Sequence, residues 1–287
     1  AGTKQTQASP GDIFLLHPVS GGRHLSGGGA GGNGGYGGGL YVGSFGGGAE
    51  VIRCTFTTNY TTRAFTSARA YMAAMHIYNT RATVEGCDFR GHRANGTVDF
   101  RGSCAGSVFR NCIFSGNYAG GQGVVQVNLD NATDAARIEN CTFAYNIDAP
   151  ALKCTKGAVA VTNCIFYGNL CGTTATAAAD LRVEATATAT VGHSLFAVEE
   201  ADGSTVCVSA ATPGTLDVGA GCVYGDPLFV TPMTNLLALT GSDLAAQPPR
   251  TLPSKWTTPS YAALISFNLH LRGGSGYIDE RTGKPVK

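Results

Sequence analysis

Six side chains of chemically useful types occupy the middle of a repeated three-residue motif. In this triplet, apolar residues flank a variable middle residue, and the triplets begin at Leu40, Met75, Val98, Val125, Leu152 and Leu181. The middle residues, here called the polar row, are Tyr41, His76, Asp99, Gln126, Lys153 and Arg182. His76 beside Asp99 could form an acid–base pair, and Lys153 with Arg182 could bind an anion. The favoured interpretation is nevertheless a solvated sheet face without a catalytic residue.

Other patterns that support chemistry are missing from the sequence. The histidines at positions 17, 24, 76, 92, 193 and 270 show no His-x-x-x-His spacing, and no Cys-x-x-Cys occurs, so we predict no metal site. The Gly-rich run from Gly27 to Gly48 is not followed by Lys-Ser/Thr, which argues against a nucleotide loop. The sequence contains no Gly-x-Ser-x-Gly motif, so it does not indicate a hydrolase serine. We therefore predict no cofactor.

The elements that position the polar row follow from a nine-residue repeat. The segment from Ile138 to Asn146 is rewritten from Val161 to Asn169, and related segments begin at Phe109, Val84, Val51 and, in decayed form, Val191. Repeats of this period indicate a solenoid. The alternating triplets and the inward Cys and Phe of each repeat predict short strands and no helix. The Asn or Gly before Cys predicts a bend, and the closing Asn predicts a turn with left-handed backbone.

The ten cysteines suggest two different roles. Five of them share one repeat position and predict an interior column of small apolar side chains, with the redox state left open: Cys54, Cys87, Cys112, Cys141 and Cys164. Cys207 and Cys222 enclose a Gly-, Ala-, Pro- and Thr-rich loop, which predicts a disulfide. The pairing of Cys104, Cys154 and Cys171 stays open. The pattern favours an oxidising, extracellular setting.

Two further rows are candidates for contact with a partner. Between the inward Cys and Phe lies an outward row that contains large aliphatic residues, here called the apolar seam: Ile113, Ile165 and Leu195. It is interpreted either as a surface covered by a terminal segment of the chain or as a protein–protein contact. Near the closing Asn lie four tyrosines that could stack on sugar rings or on a partner protein, or instead shield the turn: Tyr60, Tyr118, Tyr145 and Tyr167.

The composition excludes some partners and suggests a division of the chain. The net charge of +1 gives no electrostatic attraction for nucleic acid or anionic membrane, and no apolar run is long enough to span a bilayer as a helix. Ala1 fits either a mature end left by signal cleavage or an excised fragment. We divide the chain into an N-terminal cap with a Gly-rich segment (1–39), β-helix repeats (40–196), and C-terminal coils with a cap (197–287). The run from Ile13 to Leu16 is expected to cover the first end.

The repeats resemble those of polymorphic outer-membrane-protein passengers. The likeness rests on the Phe-x-x-Asn endings, such as Phe143 to Asn146, and on Gly-rich leads such as Gly37-Gly38-Gly39-Leu40. It extends to Gly225-Asp226-Pro227-Leu228-Phe229-Val230 and to the segment from Asn268 to Arg272. The resemblance implies an all-β, right-handed parallel β-helix (β-solenoid) of about six coils with terminal caps. Bacterial surface proteins share this fold.

The functional expectation is a non-catalytic, secreted or cell-surface protein with a structural or adhesive role. Its partner is expected to be a protein or a glycan, and head-to-tail assembly into a homo-polymer is a variant of this role. The alternative is a carbohydrate-active β-helix enzyme, either a polysaccharide lyase or a glycoside hydrolase. The polar row contains one carboxylate, whereas common glycoside hydrolases need two, and no Asp-rich cluster with Gly-His-Gly or calcium-binding acids beside a catalytic base is visible. Glycan binding of the phage-tailspike type is a third reading.

Overall fold

A computed structural model of the protein consists of stacked β-strands. It describes residues 15–16, 24–26, 39–43, 48–57, 59, 72–119, 122–147, 149–169, 180–196, 208–210, 214–231, 268–271, 278–279 and 284–285. Every regular element in these ranges is a strand. The predicted all-β class is therefore confirmed, and the strand pairing described below confirms the parallel solenoid. None of the described residues forms a helix that could cross a membrane.

The strands form three faces of a rod, and neighbours within each face are parallel. The first face contains β3 (Leu40–Gly43), β6 (Met75–Tyr78), β10 (Val98–Gly102), β14 (Val125–Leu129) and β21 (Val208–Ala210). The second contains β1 (Leu15–Leu16), β4 (Ala49–Ile52), β7 (Ala82–Glu85), β11 (Val108–Arg110), β15 (Ala135–Glu139) and β22 (Thr215–Val218). Two long strands run through both faces and join them: β17 (Leu152–Thr162) and β19 (Leu181–Gly192).

The third face shows the number of coils most directly. It is an eight-stranded sheet, in the order β2 (His24–Ser26), β5 (Thr55–Thr57), β8 (Asp88–Arg90), β12 (Ile113–Ser115), β16 (Thr142–Ala144), β18 (Ile165–Tyr167), β20 (Leu195–Phe196) and β23 (Val223–Tyr224). Three short pairs lie outside these faces: β9 (Arg93–Ala94) with β13 (Tyr118–Ala119), β24 (Phe229–Thr231) with β25 (Asn268–Leu271), and β26 (Ile278–Asp279) with β27 (Lys284–Pro285). The eight strands of the third face correspond to the six predicted coils plus one further strand at each end, β2 and β23.

The core is an apolar column enclosed by the three faces. Along the third face the inward aromatic residues stack ring on ring through seven levels: Phe56, Phe89, Phe114, Phe143, Phe166, Phe196 and Tyr224. The six phenylalanines are fully buried, and their centroids lie 4.7 to 5.2 Å apart. This spacing is close to the separation of neighbouring strands, about 4.8 Å, so each coil places its ring on the previous one. The inward orientation of Cys and Phe is confirmed.

Left-handed residues mark the corners, although one corner differs from the prediction. The residue before each Cys position has φ between 51° and 80°, which confirms the predicted bend: Arg53, Gly86, Asn111, Asn140, Asn163, His193 and Gly221. The closing Asn marks the predicted turn but does not itself take the left-handed conformation that Asn tolerates. That conformation belongs to the preceding residue, namely Gly91, Gly116, Tyr145 or Gly168. The turn therefore directs the following residue, which is His92 after Gly91 and Asn in the other coils, into the rod, where it is buried.

Both ends of the rod extend beyond the recognised repeats. Leu15–Leu16, from the run expected to cover the first end, pairs in parallel with Glu50 and Val51. At the other end, Thr215–Val218 pairs with β19 and Val223–Tyr224 with β20. The signal missed in the sequence is Gly221-Cys222-Val223-Tyr224, which repeats the bend, Cys and inward aromatic positions of Asn163-Cys164-Ile165-Phe166.

The prediction of a Cys207–Cys222 disulfide is wrong, because Cys222 is part of this extra coil. Cys222 is a free thiol. Leu195 and Phe196 are opposite Val223 and Tyr224, so Cys222 continues the inward column below Ser194. Its Sγ lies 3.9 Å from the carbonyl oxygen of Val191, on the core side of the coil. Cys207 and Cys171 lie outside the described residues, whereas Cys104 and Cys154 are free and buried.

Candidate functional site

The polar row forms a continuous stack along the first face. Strand pairing places each member directly opposite the next, from Tyr41 through His76, Asp99, Gln126 and Lys153 to Arg182. The flanking apolar residues of each triplet face the core, so the middle residues point to the outer side of the sheet. The sequence pattern therefore identified a real spatial row.

The centre of the polar row is buried, and the expectation of a solvated face is wrong there. His76 is 1% exposed and Asp99 is 0% exposed, although both lie on the outer side. His76 Nδ1 lies 3.1 Å from Asp99 Oδ2, and Arg101 Nε donates a hydrogen bond to the same oxygen at 3.0 Å. Arg101 follows Asp99 by two residues and therefore shares its side of the strand. The charge of Asp99 is balanced within its own coil.

Two tyrosines enclose the His76 ring. Tyr41 stacks on it with centroids 5.6 Å apart, and Tyr78 stacks on it at 5.9 Å. Both tyrosines remain partly accessible, at 43% and 36% exposure. Aromatic faces at the edge of a polar cluster are suitable platforms for flat apolar surfaces of a partner, including sugar rings. Tyr78 was not among the predicted residues, because its own triplet ends at Ile77.

Two acceptor atoms in the centre of the polar row lack donors within the described part of the chain. These are Asp99 Oδ1 and Gln126 Oε1, which belong to directly opposed residues on neighbouring strands. Gln126 is 3% exposed. An unsatisfied buried acceptor costs roughly 1–3 kcal/mol, so such groups normally have a purpose or a partner. Both atoms are shielded from solvent, so a ligand does not reach them in this structure.

The lower part of the polar row is an ion-pair cluster. Glu184 Oε1 lies 3.3 Å from Lys153 Nζ and 3.2 Å from Arg182 Nε. The two cations that were expected to receive an anion are thus already held by a carboxylate that the sequence analysis did not assign. Glu184 follows Arg182 by two residues on β19, so the alternation of the strand places both side chains on the same side of the sheet. That alternation could have identified Glu184 from the sequence.

The spacing of the two carboxylates limits the chemistry of the polar row. Asp99 lies on β10 and Glu184 on β19, with β14 and β17 between them. Three strand spacings of about 4.8 Å place them about 14 Å apart along the rod. Glycoside hydrolases hold their two carboxyl groups about 5–9.5 Å apart. Among the residues described, no group of three or more His, Cys, Asp or Glu side chains is arranged to hold a metal ion.

A second polar column runs inside the rod, at the turn after the third face. Asn117 Nδ2 donates to Asn146 Oδ1, and Asn146 Nδ2 donates to Asn169 Oδ1, both at 2.9 Å. Each amide also donates a hydrogen bond of 3.0 Å to the carbonyl oxygen of a phenylalanine one coil earlier, as Asn117 does to Phe89. His92 takes the Asn position in its coil and accepts from the Asn59 backbone N–H at 3.1 Å. This column satisfies backbone groups of the buried turns.

The cysteine column is polar in its contacts, rather than merely apolar filling. Cys112, Cys141 and Cys164 each donate a thiol hydrogen bond to the carbonyl two residues earlier, at 3.3 Å. Cys164 N–H donates in turn to Ser194 Oγ at 3.1 Å, so a hydroxyl replaces the thiol in that coil. The hydrogen bond with Cys112 raises the pKa of Cys87 to about 12, which keeps that thiol protonated. Within the described chain, all five members are buried thiols.

The tyrosines near the closing Asn do not form an exposed strip in this structure. Tyr118 and Tyr145 are each 4% exposed, and Tyr60 lies outside the described residues. Tyr145 and Tyr167 contact each other edge to face at 6.0 Å. Both also contact the buried Phe229, at 6.3 and 5.9 Å. The segment after the last coil therefore covers this edge of the rod.

The apolar seam is a single row on the outer side of the third face. Ile113, Ile165 and Leu195 belong to a register that also contains Thr142, and it ends at Val223. Ile113 and Ile165 are half-buried, Leu195 is 9% exposed and Val223 is 39% exposed. Val223 is the member that the sequence analysis missed, because the coil to which it belongs was not recognised.

Comparisons with known proteins identify the architecture and no activity. A family model described as a right handed beta helix region matches residues 32–187, which is more than half of the chain. No curated protein and no solved structure matches the chain. The likeness to polymorphic outer-membrane-protein repeats therefore stays a prediction from the residues quoted above.

Proposed function

The chain belongs to the right-handed β-helix family, and from this premise we propose that it is a non-catalytic structural and adhesive protein. We place it at a cell surface or in the extracellular space, in keeping with the sequence resemblance. The observation that carries the proposal is the unbroken polar row, which repeats once per coil from Tyr41 to Arg182. A surface with one period of about 4.8 Å along a rod suits contact with an extended partner.

The polar row supports binding better than turnover. The Asp99 carboxylate contacts His76 and Arg101, and the Glu184 carboxylate forms ion pairs with Lys153 and Arg182. Catalytic carboxylates must act on the same bond, and these two lie about 14 Å apart along the rod. The exposed rings of Tyr41 and Tyr78, which stack on His76 at the edge of the polar row, instead favour a ligand with a flat apolar face. We therefore propose a glycan as the partner of this surface.

One observation favours a second candidate, a polysaccharide-cleaving enzyme. The 3.1 Å contact between His76 and Asp99 could orient the imidazole as a general base. In this alternative His76 removes a proton, Arg101 neutralises the substrate, and Asp99 acts as a positioning residue. Such a site requires the polymer to reach His76, which is 1% exposed.

The test of the proposed function separates binding from cleavage with the same samples. Purified protein is applied to a glycan array, and bound polysaccharides are then assayed for new reducing ends and for unsaturated products. We expect binding without cleavage, and we expect Tyr41→Ala to abolish binding while it leaves the fold intact, because Tyr41 is 43% exposed and substitutions of exposed residues change stability little. The matched control is Thr190→Leu on the second face, which should bind normally.

The alternative outcomes are clear. Cleavage that disappears in His76→Asn would replace the adhesive proposal with the enzyme. Absence of binding to every glycan, with a folded protein, would leave the glycan proposal without support. Retained binding in the Tyr41→Ala variant would move the binding surface away from the polar row.

A further inference from the structure

The last coil of the rod has an incompletely covered core. Leu216, Val218 and Tyr224 continue the inward registers of Ala189, Val191 and Phe196. Ala189, Val191 and Phe196 are at most 2% exposed, whereas Leu216, Val218 and Tyr224 are only half-buried. Cys222, below the buried Ser194, is also half-buried. No strand in the described part of the chain pairs with the outer edge of β22 or β23.

The segment that follows this coil leads away from the open end. Phe229 lies five residues after Tyr224 and is 1% exposed. It packs against Tyr145 and Tyr167, which belong to coils nearer the middle of the rod. Residues 225–229 therefore run back along the side of the rod. The paired strand β25 is joined to β24 and lies with it.

Strand register shows what type of surface could complete the end. The row that ends at Val218 begins at Leu16 and contains Val51 and Val84 in between. The row that ends at Tyr224 begins at Leu25 and continues through Phe56. On the first face, Leu40 and Val42 begin the rows that end at Val208 and Ala210. A second copy placed below the first would thus continue apolar rows on all three faces.

We propose that the coil formed by β21, β22 and β23 is a docking surface for the N-terminal end of a second copy of this chain. The second copy adds β1, β2 and β3 in parallel to the open strand edges and covers Leu216 and Val218. The contact is heterologous, so it leaves a new open end and propagates into a filament. This inference rests on the proposed structural function and identifies the surface and the partner of assembly.

The experiment compares wild type with two lysine variants. Leu216→Lys places a charge in the open core of the last coil, whereas Thr190→Lys places the same charge on an exposed outer position of β19. Sedimentation over a range of concentrations measures mass, negative-stain electron microscopy shows shape, and circular dichroism confirms folding. We expect wild type and Thr190→Lys to form filaments of uniform width, and Leu216→Lys to remain monomeric.

A second measurement uses the wild-type protein, whose end coil is unaltered. Cys222 is the half-buried member of the described thiols, and the other described cysteines are buried. Maleimide labelling of wild type, located by mass spectrometry, should modify Cys222 in dilute solution. In concentrated solution this modification should fall to the background of Cys222→Ser, because the docked copy covers the thiol.

The outcomes separate this inference from the proposed function. A wild-type protein that stays monomeric, a mass that stops at a dimer, or Cys222 labelling that is independent of concentration would overturn the head-to-tail contact. Filaments formed equally by Leu216→Lys would overturn the assigned surface. Glycan binding by a strictly monomeric protein would leave the adhesive function in place and remove only this inference.

Discussion

At the scale of single residues, His92 is the unusual member of the internal Asn column. The equivalent residues of later coils are Asn117, Asn146 and Asn169, whose amides both donate and accept. His92 is fully buried, and this burial lowers its pKa from 6.5 to about 3. The neutral ring accepts through Nδ1 from Asn59, as an amide oxygen would. Protonation would remove this acceptor, so the folded state requires the neutral imidazole.

The lowered pKa of His92 predicts a dependence of stability on pH. The unfolded chain binds a proton below pH 6.5 and the folded chain does not until about pH 3, so stability is full above 6.5 and falls between these values. The loss is about 1.4 kcal/mol per pH unit, or about 2 kcal/mol at about pH 5. Urea unfolding of wild type and His92→Asn at neutral pH and at about pH 5 measures it. Asparagine should remove most of the difference, whereas an equal loss in both proteins would contradict the assignment.

Residue types could be predicted from the repeat, but their interactions could not. The inward position of Cys141 and Cys164 follows from alternation, and the structure confirms it. Their hydrogen bonds depend on the bend before them, which brings the thiol to the carbonyl two residues earlier. Ser194 seemed to be a decayed cysteine, whereas its hydroxyl accepts the same type of backbone N–H bond as the thiol of Cys164 does.

At the scale of elements, the turn after the third face combines a strained residue with an anchor. Tyr145 has φ of 58° at a position that is Gly91, Gly116 or Gly168 in neighbouring coils. A non-Gly residue in this conformation costs on the order of 1–2 kcal/mol. The cost is offset by the contacts of its ring with Tyr167 and Phe229. The turn thus fastens the returning C-terminal segment to the rod.

Tyr145→Gly is therefore expected to separate the two roles of this turn. Glycine relieves about 1–2 kcal/mol of backbone strain but removes a buried aromatic side chain, which costs about 3–5 kcal/mol, so the thermal midpoint should fall by several degrees. The segment around Phe229 should lose protection from hydrogen exchange and become sensitive to protease. Tyr145→Asn, which also tolerates this backbone conformation, is the matched control and should behave alike. Unchanged protection around Phe229 would contradict the anchoring role.

The order of strands could be predicted from the sequence, whereas burial on the outer side could not. The triplets located the strands of the first face, and their register placed His76 beside Asp99. Alternation assigns those residues to the outer side and says nothing about what surrounds them there. The burial of Asp99 depends on its own neighbours, Arg101 among them, and on the stacking of Tyr41 and Tyr78 around His76. The last coil was missed because Gly221 and Tyr224 replace the Asn and Phe of the usual Asn-Cys-x-Phe motif.

At the scale of the whole molecule, each described coil pairs its strands with those of the adjacent coils. Interior coils have a neighbour on both sides, whereas the coil of β21, β22 and β23 has a described neighbour only at β19 and β20. In such a quasi-one-dimensional protein, stability is close to a sum of coil and interface contributions. The inward residues of β22 and β23 are half-buried, and this reduces the apolar stabilisation of the last coil.

This arrangement predicts a gradient of local stability along the rod. Hydrogen exchange at neutral pH should be slowest in peptides from β12 and β16, faster in β20 and fastest in β23, because opening an end coil breaks one interface instead of two. The measurement is peptide-resolved exchange on dilute protein, in which filaments are absent. Concentrated protein should protect β23 selectively. Equal protection along the rod would indicate that it opens as a single cooperative unit.

The parallel ladder also determines how the rod would respond to mechanical load. Its strand hydrogen bonds run along the axis, so tension between the two ends loads the coils in series and peels them one at a time. One coil, such as that between Phe89 and Phe114, contains 25 residues. Stretched at about 3.4 Å per residue, it would release about 85 Å of chain. A tether built in this way extends in discrete steps under force and dissipates energy at each step, and every coil left intact keeps its surface chemistry in place.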